Sequence, residues 1–342
     1  MKRFGLIGYP IVHSLSPLLF RAGYHPGSRG TDASCSGYGK DTDAGLDWQY
    51  DLIEGGDFSE SYGRFLEEYD GINVTAPFKE AAFRQADIID PVCGKIGATN
   101  LLVKTADGIK AYNTDYYGII LSILEALDGN DMNIPASGPE RDGHPCTRDR
   151  MSARPSAGEC RQAVKGRLRT ALVAGCGGAG KAAAVAAGSM GLDTILMNRT
   201  VSKADDIATA LPEYGFKVRP MEEFRECFAA ADLILYTLPA PVADIASLTD
   251  SDFMPAGDRH GSGEGTAMDK AVRKILVEAN YRNPSFPPES IRRQTALHKG
   301  FTYIPGHRWL LYQAYAGYDL FTGEQPDLYA MGRAIGQYDS GI

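Results

Sequence analysis

The stretch from Ala171 to Ala187 most constrains what this chain can fold into. A short apolar run, Ala171-Leu172-Val173-Ala174, leads into Gly175-x-Gly177-x-x-Gly180, and alanine-rich sequence follows. Strand, tight glycine turn and helix in that order are the context a dinucleotide fingerprint requires. Gly175 permits the turn, Gly177 lets backbone approach a pyrophosphate, and Gly180 lets the helix pack closely on the strand. The unpaired N–H groups and the dipole at the helix start then suit a phosphate. The same glycines also fit a merely structural strand–helix turn, and they name no substrate.

At 342 residues the chain is long enough for two domains, each with its own core. A net charge of −8 argues against a nucleic-acid footprint, which needs a basic face. Phosphates must therefore be met by local groups. The cysteines at 35, 93, 146, 160, 176 and 227 show no C-x-x-C and no paired metal spacing, so reduced thiols and no metal are expected. The start, Met1 to Gly8, is broken by glycine and by Pro10, and is not read as a signal peptide. No apolar run of about 18 residues offers a membrane span. A cytoplasmic protein is expected.

Phe4 to Ile7 reads as a buried strand. Ser16-Pro17 then marks a helix start, with serine as N-cap and proline at the first helical position. Ser14 is left without a capping role, as a ligand hydroxyl or as part of an ordinary serine-rich turn. Residues 27–45 read as loop, 48–53 as strand and 58–69 as helix. Gly71 to Lys79 runs from strand into turn, with a helix from near Glu80. Polar side chains at a strand end, with Lys79 delivered by the turn, form a ligand-facing rim; a solvated lysine at a helix start is disfavoured by the dipole. Residues 95–103 read as a turn entering a strand, with Asn100 at its mouth. After an Asp107-Gly108 hairpin turn, Asn113-Thr114-Asp115 precedes the apolar helix 119–127, where Asp115 suits the helix start as a cap or as a site group.

Residues 129–168, rich in Pro, Gly, Lys and Arg, read as an insertion or mobile linker. About 20 residues after the glycines, where NAD-binding proteins carry an acid, stand Asn198-Arg199-Thr200, with Lys203 beyond. A guanidinium, a hydroxyl and an ammonium favour a 2′-phosphate, hence NADP over NAD. Helices are expected over 204–211 and 222–230, and strands over 216–219, 232–236 and 274–279. A loop insertion is expected over 256–268, and helical periodicity over 306–318.

Taken together, these stretches resemble the shikimate dehydrogenase family. The carriers are Ser14-Leu15-Ser16-Pro17, Asn73-Val74-Thr75-x-Pro77-x-Lys79, Gly97-Ala98-x-Asn100 and Asn113-Thr114-Asp115-x-x-Gly118. The glycine turn, Asn198-Arg199-Thr200, Tyr281 and Gly306-x-x-x-Leu310-x-x-Gln313 follow in the family's order. The resemblance implies an α/β fold with an N-terminal substrate-binding domain, a C-terminal Rossmann NADP-binding domain, and a last helix returning to the first. The boundaries implied are 1–118 plus 307–342 for the first domain and 169–306 for the second. Between them, 119–168 would form a linking helix and insertion.

The resemblance further implies NADPH reduction of 3-dehydroshikimate to shikimate. Ser14 and Ser16, with Tyr281 nearby, would hold the substrate carboxylate, while Thr75, Asn100 and Gln313 would bond the ring hydroxyls. Lys79 and Asp115 would be the catalytic pair, Asp115 also reaching the ring. Gly175, Gly177, Gly178, Ala179, Gly180, Asn198, Arg199, Thr200, Lys203, Thr237 and Gly306 would meet the cofactor. The partner implied is a small molecule, and the chain a monomer or homodimer.

The chain departs from the family pattern at Ala111, at Tyr236-Thr237-Leu238-Pro239 and at Trp309. In Tyr281-Arg282-Asn283-Pro284 it carries one residue more than the common tyrosine–asparagine–proline. Competing readings are a quinate/shikimate dehydrogenase with relaxed substrate or cofactor use, a non-catalytic NADP-binding regulatory relative, and a folate-type dehydrogenase. The presence of both Lys79 and Asp115 weighs against the regulatory reading. The serine motif and the Asn-Thr-Asp turn weigh against the folate reading.

Overall fold

A computed structural model describes residues 1–24, 48–128, 154–255 and 273–336. The loop expectations for 27–45 and 256–268, and most of the 129–168 insertion, fall outside these residues. The described residues divide into two compact units, one holding 1–114 and 314–336, the other 115–313. The divisions therefore fall at 114 and 313, against the 118 and 307 that the motifs imply.

The first unit is built on one six-stranded sheet. Its strands are β1 (Lys2–Gly8), β2 (Trp48–Glu54), β3 (Gly71–Val74), β4 (Ile88–Ile89), β5 (Leu101–Thr105) and β6 (Gly108–Tyr112), in the order β2-β1-β3-β5-β6-β4. β2, β1 and β3 run parallel, and β5 turns antiparallel to both β3 and β6. β3 is buried along its whole length, which is why its sequence Gly-Ile-Asn-Val shows no alternation. The helices are α1 (Ser16–Ala22), α2 (Phe58–Glu68), α3 (Lys79–Phe83) and α4 (Pro91–Ile96). Phe65 of α2 packs with Ile72, Leu102 and Ala111 of the sheet in one core cluster. On Phe4 of β1 stacks Phe321, with ring centroids 4.6 Å apart.

This parallel–antiparallel arrangement has one consequence for function. The ends of β1, β3 and β6 and the start of β5 all lie at the same edge of the sheet. Residues scattered between 8 and 114 are thereby brought to one rim.

The second unit carries another six-stranded sheet. Its strands are β7 (Thr170–Ala174), β8 (Asp193–Met197), β9 (Lys217–Val218), β10 (Leu233–Tyr236), β11 (Lys274–Glu278) and β12 (Phe301–Ile304). The order is β12-β11-β10-β7-β8-β9 and every pairing is parallel. The chain starts in the middle, winds outward to one side, then returns and winds to the other. That is the doubly wound Rossmann order, and its switch point lies between β7 and β10. The associated helices are α5 (Thr114–Asp128, its first residue in the other unit), α6 (Ala157–Val164), α7 (Gly178–Ser189), α8 (Val201–Ala210), α9 (Phe224–Ala230) and α10 (Pro288–Leu297). α11 (Gly306–Thr322) is shared by the two units, and the last helix, α12 (Leu328–Gly336), belongs to the first.

Several local expectations need correction. Residues 95 and 96 close α4, which ends at the left-handed Gly97 (φ 67°) before β5 begins at Leu101. The linker reading of 129–168 gives way, in its described part, to α6. There Ser156 caps Glu159 and the Glu159 carboxylate returns to the Ser156 N–H at 2.7 Å. Ser16 is the first helical residue of α1 and not its cap; the preceding Leu15 makes no side-chain cap. Ser14 takes over part of that role, its Oγ accepting the Ser16 N–H at 3.3 Å.

Candidate active site

The rim of the first sheet is held by backbone and small side chains. Ser14 Oγ donates to Ser16 Oγ at 3.1 Å; Ser16 is buried while Ser14 is half-buried. Gly8 makes room for the neighbouring loop, because a Cβ there would lie 2.3 Å from Thr75 Cγ2. Thr75 donates its N–H to Ile7 O at 2.9 Å, and its own carbonyl accepts from Phe78 N at 3.0 Å. This turn delivers Lys79 as the first residue of α3, where its carbonyl accepts from Thr99 N at 3.0 Å. A cation there opposes the helix dipole, so helix stability does not account for it.

Asn100 is 1% exposed and both ends of its amide are engaged with Thr114. Its Oδ1 accepts Thr114 N at 2.6 Å, and its Nδ2 donates to Thr114 Oγ1 at 3.0 Å. Asn100 thus fixes the start of α5, whose first turn carries Asp115. Asn73, inside β3, is a buried polar residue that the sequence reading left without a role. Its Oδ1 accepts from Tyr50 Oη at 2.7 Å and its Nδ2 donates to Asn100 O at 3.2 Å. Burial pushes the Tyr50 phenol far above its usual range, so it remains a donor.

In the second unit the glycine turn lies at the switch point. Gly175 has φ 107°, a conformation that favours glycine, and a Cβ on Gly180 would meet Gly175 O at 1.9 Å. A Cβ on Gly177 would meet nothing within 4 Å, which is the open approach a bound phosphate needs. No side chain caps the start of α7, where Gly178, Ala179 and Gly180 form the first turn. Thr237, just past β10, donates its hydroxyl to Ala174 O at 3.0 Å and to Gly175 O at 3.2 Å. It holds the glycine turn in place from the other side of the switch point.

Asn198 secures the next turn, its Oδ1 accepting Cys176 N at 3.1 Å and its Nδ2 donating to Thr200 O at 2.9 Å. Arg199, Thr200 and Lys203 are exposed beside it. Burial pushes the Cys176 thiol up to about 11, against the opposing charges of Lys181 and Lys203. Cys176 is therefore a neutral packing residue inside a positively charged neighbourhood.

Tyr281 follows β11, its ring 5.3 Å from that of His307. Gly306, at the start of α11, allows this approach, because a Cβ there would lie 2.6 Å from Ala279 O and 2.8 Å from Tyr281 N. Gln313 lies further along α11 and is half-buried. Asp115 and Gln313 fall in the second unit, whereas Ser14, Ser16, Thr75, Lys79 and Asn100 share the first. Among the described residues, no group of three or more His, Cys, Asp or Glu could hold a metal ion.

A Rossmann sheet with a glycine cradle at its switch point, in one chain with a second α/β unit carrying a polar rim, defines a two-domain α/β protein with a dinucleotide site. Comparison with known proteins narrows the class. Residues 6–102 match the family described as the shikimate dehydrogenase substrate binding domain, a span that contains Ser14, Ser16, Thr75, Lys79 and Asn100. A Haloarcula marismortui shikimate dehydrogenase (NADP(+)) is 29% identical over 326 residues, covering 95% of this chain and 94% of that protein. Over residues 6–102 the chain is thus similar to the shikimate dehydrogenase substrate binding domain, and over nearly its whole length to shikimate dehydrogenases.

Solved structures agree on the fold. Shikimate 5-dehydrogenase from Thermus thermophilus, in complex with NADP(H) and shikimate, matches with a TM-score of 0.60 at 24% identity, covering 99% of this chain and 100% of that one. Quinate dehydrogenase from Corynebacterium glutamicum, in complex with NAD, matches with a TM-score of 0.65 at 19% identity, covering 98% and 99%.

Proposed function

We propose that this chain is an NADP-dependent shikimate dehydrogenase, an oxidoreductase that interconverts 3-dehydroshikimate and shikimate. The observation that carries this reading is topological. One sheet edge gathers Ser14, Thr75, Lys79 and Asn100, which are 86 positions apart at the extremes (100 − 14), and the other sheet places the glycine cradle at its switch point. The cradle fits a dinucleotide: Gly177 leaves its approach open, α7 presents an uncapped N-terminus, and Arg199, Thr200 and Lys203 suit a 2′-phosphate.

Bound there, NADP(H) supplies the hydride. The rest of the chemistry falls to the chain's own side chains. Lys79 presents its Nζ ammonium to the carbonyl oxygen, stabilises the alkoxide as it forms and can supply the proton. Asp115 supplies the carboxylate of the catalytic pair. Ser14 and Ser16, with Tyr281, hold the substrate carboxylate; Thr75, Asn100 and Gln313 bond the ring hydroxyls. Such an array is needed because each buried polar group left unpaired costs about 1–3 kcal/mol. Asn100 reaches a ligand through an amide already fixed by Thr114, which makes it a pre-set contact. The protein works on a small molecule in the cytoplasm, as monomer or homodimer. Among the described residues, no helix is long and apolar enough to cross a membrane.

Initial rates with shikimate or quinate, each with NADP or NAD, test the reading. Rapid oxidation of shikimate with NADP is expected, and no oxidation with either cofactor would sink it. Lys79→Ala is expected to lower turnover by orders of magnitude while changing shikimate affinity much less. A Lys79→Ala variant with near-normal turnover refutes the role given to lysine.

A further inference from the structure

The turn after β11, Tyr281-Arg282-Asn283-Pro284, is closed by the side chain of the residue before it. Asn280 precedes Tyr281-Arg282-Asn283-Pro284. Its Oδ1 accepts from Arg282 N at 3.2 Å and from Asn283 N at 3.1 Å, closing the backbone around Tyr281. Its Nδ2 donates to Pro239 O at 3.3 Å, in the turn that follows β10. The amide orientation is fixed by its partners, since two N–H groups only donate and a carbonyl only accepts.

Both turns lie at the ligand edge of the sheet. Ala279 N donates to Tyr236 O at 2.9 Å, so the strand ends are already joined by backbone where Asn280 adds its bridge. The 237–239 turn holds the glycine cradle through the Thr237 hydroxyl. The far end of the Tyr281 turn is anchored separately. The buried Glu278 carboxylate accepts Ser285 N on one oxygen and Tyr303 Oη at 2.9 Å on the other. With that end fixed, the Asn280 side chain closes the near end of the turn that carries Tyr281.

We propose that Asn280 is a positioning residue for both ligands. Its oxygen shapes the turn that aims Tyr281 at the substrate carboxylate, and its nitrogen ties that turn to the one supporting the cofactor cradle. The inference rests on the reading that Tyr281 meets the substrate.

Two substitutions separate the two halves of the amide. Asn280→Asp keeps the accepting oxygen and loses the donor to Pro239, whereas Asn280→Ala loses both. Steady-state KM values for shikimate and NADP, with circular dichroism to verify folding, are the readout. Asn280→Ala is expected to raise both KM values, that for shikimate roughly tenfold, the equivalent of one well-made hydrogen bond. Asn280→Asp is expected to restore the shikimate KM to within roughly threefold of wild type while the NADP KM stays raised. A residue that merely stabilises the fold would move both constants together in both variants. Unchanged KM values in Asn280→Ala, or an Asn280→Asp variant as impaired toward shikimate as Asn280→Ala, overturns the proposal. Tyr281→Phe serves as the control on the underlying reading. If it leaves the shikimate KM unchanged, the contact between Tyr281 and substrate is wrong; if it raises that KM while Asn280→Ala does not, only the role of Asn280 falls.

Discussion

Where β10 and β11 begin, charged side chains are buried and engaged with backbone; at the opposite edge of that sheet, beyond β7 and β8, charge is exposed and backbone is left open. Lys274, the first residue of β11, is fully buried, and its Nζ donates to Phe228 O, Ala229 O and Ala231 O at 2.6, 2.9 and 2.9 Å. A cation at the C-terminus of α9 matches the helix dipole and satisfies carbonyls that have no partner within the helix. Asp232, just before β10, accepts Arg169 N at 2.8 Å and Thr170 N at 3.1 Å. At the opposite edge, α7 begins without a side-chain cap, and Arg199 and Lys203 face solvent. The difference separates stability from binding. Groups whose bonds are closed within the fold hold the sheet together, and groups left open can bond a ligand. Glu278 is an instructive exception, a buried carboxylate at the ligand edge that secures the turn carrying Tyr281.

The largest effect is expected at the cradle. A Gly180→Ala methyl group would sit 1.9 Å from a backbone oxygen, so the turn or the helix must move. Titration calorimetry is expected to show no saturable NADP binding, while the first unit keeps its fold. Tight binding in this variant would break the assignment of the open edge to the cofactor.

A smaller effect of a different kind is expected at the closed edge. Lys274→Met strands three carbonyls and should lower stability by about 3 kcal/mol. Chemical denaturation measures that loss, and the KM values for shikimate and NADP should stay at wild type. A change in either KM without a loss of stability would erase the distinction between the edges. The smallest of the three effects sharpens the comparison: Arg199→Asp should weaken NADP roughly tenfold, about 1.4 kcal/mol, and leave NAD less affected. Equal losses for the two cofactors would count against a 2′-phosphate contact.

Parts of this architecture are legible in local sequence because the forces behind them are local. The glycine spacing, the Asp107-Gly108 hairpin and the apolar runs of β7 and β10 each specify an element within a few residues. α6 had a comparable signal, the Ser156-x-x-Glu159 capping box, but it lay in a stretch dominated by proline and charge. α4 had one too, Asp90 before Pro91, and the Asp90 side chain does cap Val92 N at 3.0 Å. β12, Phe-Thr-Tyr-Ile, buries only its two end residues and so lacks the continuous apolar run that marks the equally short β10.

The serine motif was legible as a helix start but not in its internal roles. Ser16 looked like the cap, yet Ser14 receives the N–H and Ser16 is buried as the first helical residue. That exchange depends on the phase of α1, which residue types alone do not specify. Asn73 and Asn280 could not be ranked at all from sequence. Asn73 acquires its importance from Tyr50, 23 positions away, and Asn280 from Pro239, 41 positions away.

By itself, the sequence determined which chemical groups this protein owns: a strict glycine turn, basic groups where NAD-binding proteins carry an acid, and a lysine, a carboxylate and paired hydroxyls near helix starts. Motif spacing suffices for that, because helix starts and tight turns are governed by neighbours in the chain. The tertiary structure alone decided which groups share an edge and which are occupied with holding that edge together. Strand order brings Lys79 to the rim that Ser14 and Asn100 occupy, and it fixes Lys274 at the far side of the other sheet. Both are lysines near helix ends. One stands at a helix N-terminus, against the dipole; the other stands at a helix C-terminus, with the dipole, and its Nζ is bonded to three carbonyls.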